Sequence, residues 1–162
     1  MSDTSPKPRI FLDTRALFAG TWSEEGGARM LLRLGEAGAI ELLISPQVLA
    51  ELQGALARKA PKTLPVAAVL LDRAAGTVVP APDKEHLQLA EALISHPGDA
   101  AVVAAAWQAS SDFLATLDRQ HFLENSSLIA AVPFVIGTPG DALAWIRAQF
   151  RRQSRGADQG QA

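Results

Sequence analysis

The sequence predicts an α/β fold built on a mostly parallel five-stranded sheet, and three observations predict it. Short apolar runs alternate with helical patterns along the chain, which is the pattern of a parallel sheet with right-handed crossovers. Two of those runs end on carboxylates, Asp13 and Asp118, where open parallel sheets place their ligands. One helical stretch, residues 100–109, is almost uniformly small and apolar, as a helix covered on both faces must be.

Composition sets the outer limits. A chain of 162 residues fits one domain and can bury a real core. Apolar residues make up 48% and charged residues 20%, a balance that gives an ordered globular chain. There is no cysteine, so disulfides and thiolate metal sites are excluded. No apolar run approaches the roughly 18 residues of a membrane span. Residues 1–7 are polar and lack the apolar centre of a signal peptide, so a cytoplasmic location is expected. The net charge of −2 means that any phosphate-binding surface must be local. The expected organisation is an extended or disordered N-terminus over 1–8, one domain over 9–150, and a basic, then flexible tail over 151–162.

The first strand is read over 9–12, ending at Asp13. Residues 14–18 turn into a short helix expected to break near Gly20, and a second helix runs from Ala28 to Glu36, stopped by Gly38. Residues 40–44 form the second strand. Ser45-Pro46 is a helix start, a hydroxyl N-cap followed by proline at the first helical position. That helix reaches about Arg58 with Val48, Leu49, Leu52 and Leu56 as its apolar stripe, and Glu51 lies on the stripe's border. Residues 62–74 are helical again, with Leu64, Ala67, Ala68 and Leu71 three or four apart. A third strand follows at 77–79 and a helix at 85–94. His96-Pro97-Gly98-Asp99 is a turn that launches the small apolar helix, with Asp99 at its positive end. The fourth strand is expected at 113–117, the fifth at 132–136, and a last helix from Pro139 with Leu143, Trp145, Ile146 and Phe150 inward. Leu12, Leu43, Val103, Leu114 and Val135 are expected to be buried.

Asp13 and Asp118 fall at strand ends; Glu51 and Asp99 fall in the first turns of helices. Each has an ordinary role available, as a cap, a turn former or a solvated helix residue. If strands one and four are neighbours, however, all four converge at one end of the sheet. Carboxylates gathered that closely repel unless a cation sits among them. Hard oxygen donors of this kind suit Mg²⁺ or Mn²⁺.

Four segments resemble the ordered motifs of the PIN-domain family, metal-dependent nucleases that include VapC-type toxins. They are Phe11-Leu12-Asp13-Thr14, the stretch from Ile44 through Glu51 to Leu52, the stretch from His96 through Asp99 to Ala106, and the stretch from Ser111 to Asp118. Thr138-Pro139 ahead of the last helix also fits, and the resemblance spans roughly residues 9–147. It implies a three-layer α/β/α sandwich and hydrolysis of RNA with Mg²⁺ or Mn²⁺. It casts Asp13, Glu51, Asp99 and Asp118 as catalytic, and Asp13, Asp99 and Asp118 as metal ligands. Thr14, Arg15 and Arg119 are the expected substrate contacts, and Arg15, Arg29, Arg33, Arg58, Lys59 and Arg119 are candidates for guiding the phosphate backbone. The implied setting is the toxin half of a toxin–antitoxin pair, as a homodimer with an antitoxin partner.

The departures are specific. Arg15 stands where the family often has Asn or Ser, Leu117 replaces the usual glycine before the fourth acid, and Arg119-Gln120-His121-Phe122 occupies the stretch where a fifth acid often follows. His121 is read as a turn or packing residue. Trp107 and Trp145 are read as packing residues, and Arg151, Arg152 and Arg155 as a solvated helix end. These departures keep open a catalytically weak relative that binds RNA or a protein. A haloacid-dehalogenase-type phosphatase would need an acid at position 15, and the sequence has no Walker-type phosphate loop.

Overall fold

The computed structural model describes residues 6–160. The N-terminus expected to be disordered or extended therefore falls largely outside the described residues, as do residues 161–162. Five strands, β1 (Arg9–Leu12), β2 (Glu41–Ile44), β3 (Thr77–Val78), β4 (Phe113–Ala115) and β5 (Val135–Gly137), form one sheet in the order β3-β2-β1-β4-β5. Every pairing is parallel. Ile10, Phe11 and Leu12 are all buried, as are Phe113, Leu114 and Ala115. Consecutive residues of a strand point to opposite faces, so both faces of the sheet centre are covered. The result is the three-layer α/β/α sandwich the sequence predicts.

The helices are α1 (Thr14–Trp22), α2 (Gly27–Glu36), α3 (Pro46–Lys59), α4 (Leu64–Arg73), α5 (Lys84–Glu91), α6 (Pro97–Gln108), α7 (Ser126–Ala131) and α8 (Pro139–Gln159). Their starts are written in side chains. Asp13, Ser45, Asp83, His96 and Asn125 each accept a backbone N–H in the following first turn. Thr138 and Asp141 close a reciprocal capping box on α8. Gly38, at φ 75°, ends the α2 segment in a left-handed conformation that suits glycine.

Several elements differ from expectation for physical reasons. Gly20 does not break α1: it lies inside the helix, and a Cβ there would meet the Ala28 carbonyl and Leu32 at 3.2 Å. Its bare backbone lets α2 pack close against α1. The His96–Asp99 turn is the start of α6 itself, with His96 as N-cap and Pro97 as first residue. β4 stops at Ala115, two residues early, because Thr116 turns its hydroxyl inward and Leu117 stays exposed. The short helix α7 and a π-helical turn, Arg119–Leu123, fill the β4–β5 connection where no helix was foreseen. Ala68 is exposed although the α4 pattern placed it inward. The last helix continues through Gln159, so Arg151, Arg152 and Arg155 form a solvated helix end as expected, and the helix runs on past them into the stretch expected to be a flexible tail. Residues 151–159 are exposed throughout.

Leu12, Leu43, Val103 and Leu114 are buried as expected, whereas Val135 on edge strand β5 is 46% exposed. Trp107 and Trp145 are partly buried against the core. These burials set up a contrast along one pair of strands. Leu114→Ala should cost about 2–5 kcal/mol, the range for emptying a closed core site. Val135→Ala should stay within about 0.5 kcal/mol, as surface changes do. Denaturant unfolding of both variants checks this; equal losses would mean that β5 is covered in solution.

Candidate active site

The sheet order creates the site. β1 connects toward β2 on one side, while its other neighbour is β4, which connects onward to β5. The chain thus leaves this pair of strands in opposite directions, and the loops beyond their carboxyl ends diverge to leave a crevice. Asp13 follows β1 directly, and Asp118 lies three residues past the end of β4. α6 brings Asp99 to the same place through its first turn, and α3 brings Glu51. A cavity of about 210 Å³ is lined by Asp13, Thr14, Arg15, Glu51, His96, Asp99, Asp118 and His121, among others.

Six of the seven expected site residues are brought together: Asp13, Thr14, Arg15, Glu51, Asp99 and Asp118. Arg119 is not among the residues lining the cavity; it is exposed at the start of the π-helical turn. Of the further basic residues considered, Arg29 is engaged elsewhere. It donates to the carbonyls of Gly20 and Thr21 at 2.6 and 3.2 Å and so closes the end of α1. Arg33 reaches the Glu24 carbonyl at 3.5 Å. Arg58 and Lys59 line an adjoining groove of about 520 Å³ that shares Thr14, Arg15 and Glu51 with the acid cavity.

Asp13 is almost fully buried. One oxygen accepts the Ala16 N–H at 2.8 Å, and the other accepts a short hydrogen bond from the Thr116 hydroxyl. The same Thr116 oxygen accepts the Asp118 N–H at 3.0 Å. Thr116 thereby ties the two strand-end acids into one unit. Asp118 Oδ1 accepts the backbone N–H of His121 at 3.1 Å, and its Oδ2 lies 3.1 Å from the His121 ring Nδ1. His121 Nδ1 is also 3.4 Å from Asp99 Oδ2. Glu51 accepts the Thr14 hydroxyl at 2.5 Å and the Gln47 amide at 2.9 Å, and Gln47 in turn reaches the Gly98 carbonyl at 3.0 Å. This chain of bonds fixes α3 to the start of α6 across the mouth of the site.

Thr116, His121 and Gln47 are the residues that sequence reasoning left without a role in the site. Thr116 stood inside a recognised motif, but its double hydrogen bond depends on the register of β1 with β4. His121 was read as a turn or packing residue and instead faces two carboxylates. An oxygen of Asp99, an oxygen of Asp118 and a ring nitrogen of His121 all lie within 4.8 Å of one another, a separation that a single metal ion can span.

The charges are strained by proximity and burial. Burial pushes the Asp13 carboxyl up from 3.8 to about 6, against the hydrogen bonds from Thr116 and Ala16, with the Asp118 charge adding to the rise. Burial also raises Asp99, and His96, His121 and Arg15 only partly offset it. At Asp118 burial acts upward as well, but the backbone and ring of His121, with Arg15, outweigh it and hold the carboxyl below its ordinary value. Arg15 is thus the one arginine felt by all three aspartates.

The Asp13 shift has a sign that can be checked. Its folded pKa lies above its unfolded one, so the folded chain binds this proton more tightly. The associated stability is fully present below about 4 and is lost as pH rises through about 6. At neutral pH a charged Asp13 costs the metal-free fold on the order of 3 kcal/mol. Asparagine keeps the N-cap acceptor without the charge. In chelator, Asp13→Asn should therefore be more stable than the native chain by about 1–3 kcal/mol at pH 7.5. The gain should vanish as pH falls below about 4. Denaturant unfolding at the two pH values measures this, and a loss of stability at pH 7.5 would contradict the assigned burial cost.

The PIN domain family model matches residues 9–120. No curated protein sequence matches the chain. Among solved structures, the chain is similar to one in the crystal structure of VapBC2 from Rickettsia felis bound to a DNA fragment from its promoter. The TM-score is 0.60 at 16% identity, over 80% of this chain and 98% of that one. It is also similar to a chain in FitAcB from Neisseria gonorrhoeae, with a TM-score of 0.55 at 20% identity, over 80% of this chain and 97% of that one. At such identities these structures speak for the fold alone. The family match includes β1 with Asp13, the α3 segment with Glu51, the start of α6 with Asp99, and Asp118: the chain belongs to the PIN domain family.

Proposed function

We propose that this chain is a divalent-metal-dependent endoribonuclease, hydrolysing RNA phosphodiester bonds as the toxin of a toxin–antitoxin pair. The observation that carries the reading is the convergence of Asp13, Glu51, Asp99 and Asp118 on one cavity at the sheet's switch point. Such a group of acids is electrostatically costly when nothing neutralises it. Its donors also fit a divalent ion, because oxygens of Asp99 and Asp118 lie within single-ion reach of each other.

Asp99 and Asp118 would hold the ion, Mg²⁺ or Mn²⁺, with Asp13 behind them as the third acid. When bound, such an ion polarises phosphorus oxygens and lowers the pKa of a bound water. The remaining work falls to the chain. Thr116 ties the Asp13 carboxylate to the backbone of Asp118. Glu51, oriented by Thr14 and Gln47, is placed to accept a proton from the attacking water. Arg15 is exposed at the cavity wall and can pair with phosphate oxygens. Arg58 and Lys59 extend a basic wall along the adjoining groove for the neighbouring phosphates. An antitoxin partner and a homodimer belong to the same reading through the resemblance to VapC-type toxins. Among the described residues no helix is long and apolar enough to cross a membrane.

A second reading, an RNA- or protein-binding relative with weak catalysis, is favoured by His121 standing where a further acid is usual. One assay separates the two: digestion of a structured RNA by the native chain, with and without chelator, beside Asp13→Asn and Arg15→Ala. The nuclease should cut only without chelator. Asp13→Asn should lower cleavage by roughly 100-fold or more, as removing a transition-state stabiliser does, while RNA binding survives. Arg15→Ala should weaken binding and flatten its salt dependence by about one unit of slope. Cleavage that persists in chelator contradicts the metal mechanism. Metal binding without any cleavage favours the second reading.

A further inference from the structure

His121 occupies an unusual place in the acid cluster. Its Nδ1, not its outer ring edge, points between Asp118 Oδ2 at 3.1 Å and Asp99 Oδ2 at 3.4 Å. An oxygen of each aspartate and a ring nitrogen therefore converge on one small volume. The second histidine is placed differently. His96 Nδ1 also lies 3.3 Å from Asp99 Oδ2, but it accepts the Asp99 backbone N–H at 3.3 Å as the N-cap of α6, so its lone pair is already used, and the group of donors within 4.8 Å of one another takes in Asp118 with His121 instead. The two rings lie 5.8 Å apart, which leaves His121 as the nitrogen donor of the pair.

The backbone holds this arrangement in place. The Asp118 carboxylate caps the π-helical turn through the His121 N–H. The next residue, Phe122, is buried in the core. The Asn125 amide bonds the His121 carbonyl at 3.3 Å and the Leu93 carbonyl at 3.2 Å. The imidazole is thus delivered to the two carboxylates by a turn that is anchored on both sides.

Ligand type decides which ion such a set prefers. Mg²⁺ is hard, demands oxygen donors and sheds water reluctantly. First-row transition ions accept imidazole, with affinity rising from Mn²⁺ toward Cu²⁺. We infer that His121 Nδ1 is a metal ligand beside Asp99 and Asp118, and that this mixed nitrogen–oxygen set selects a first-row transition ion over Mg²⁺. The inference rests on the metal-nuclease reading and narrows it. An all-carboxylate site would discriminate little between Mg²⁺ and Mn²⁺. This site should discriminate through one side chain.

Mn²⁺ is the stringent probe, being the weakest binder of its series. The intact chain is titrated with Mn²⁺ alone and with Mg²⁺ alone by calorimetry. The Mn²⁺ complex is then examined by pulsed electron paramagnetic resonance for coupling to a directly bound nitrogen. The native chain should show that coupling and bind Mn²⁺ at least about 10-fold more tightly than Mg²⁺. In H121D and H121Q the coupling should disappear and the preference should shrink by about 10-fold. H96Q should keep both. Circular dichroism confirms that each variant is folded, and H121Q serves if H121D is not. Mn²⁺ binding without nitrogen coupling, or coupling that survives both His121 variants, would overturn the inference while leaving the nuclease proposal standing. Failure of the native chain to bind either ion would overturn both.

Discussion

Two carboxylates must be kept close together and largely out of water at the ends of adjacent parallel strands, and most of the structure answers to that constraint. Asp13 and Asp118 are brought side by side by the β1–β4 register, in which Leu12 pairs with Ala115. Thr116 then serves both acids, donating to Asp13 and accepting from the Asp118 backbone. The hydroxyl is fully buried and belongs to the residue immediately after β4. That explains why the strand ends early there rather than running on to Leu117. Removing β4 from its place beside β1 would separate the acids and dissolve the crevice together.

The helices complete what the strands begin. α6 contributes Asp99, and its small residues, among them Ala100, Ala104, Ala105 and Ala106, are buried. Small side chains on several faces let a helix lie between neighbours without voids. α3 contributes Glu51 from the exposed border of its apolar stripe, and Gln47 locks that border to the start of α6. A positive charge is then placed where neutralisation is needed. Arg15 stands one residue after Thr14, beside three aspartates, and His121 closes the group from the π-helical turn. This is a site in which burial raises two carboxyls, while hydrogen bonds from Thr116 and Ala16 restrain the rise at Asp13 and the neighbouring histidines and Arg15 restrain it at Asp99.

Much of this was legible in the sequence because it is local. The Ser45-Pro46 helix start, the small apolar run of α6 and the strand ending at Asp13 each declare themselves within a few residues. The convergence of four acids followed from placing strands one and four together, and the sheet order has them adjacent. What stayed hidden depends on contacts distant in the chain. Gly20 looks like a helix breaker until Ala28 and Leu32 are seen against it. Val135 looks like core until β5 is seen at the edge of the sheet. His121 looks like a turn residue until Asp99, 22 positions earlier, is found against its ring. Arg119 sits next to an acid in sequence, yet it stands exposed at the start of the π-helical turn and does not line the cavity. Periodicity and motif order report which face a residue occupies within its own element; they do not report what another element lays against it.

The proposed metal centre is tested most directly by crystallising the native chain with Mn²⁺ and locating the ion by its anomalous scattering. A peak within bonding distance of Asp99 and Asp118, inside the cavity that Asp13, Arg15 and Glu51 also line, is the expected result. An ion bound only elsewhere on the surface, or a cavity that stays free of the ion at saturating Mn²⁺, would contradict the view that this acid cluster exists to hold a cation.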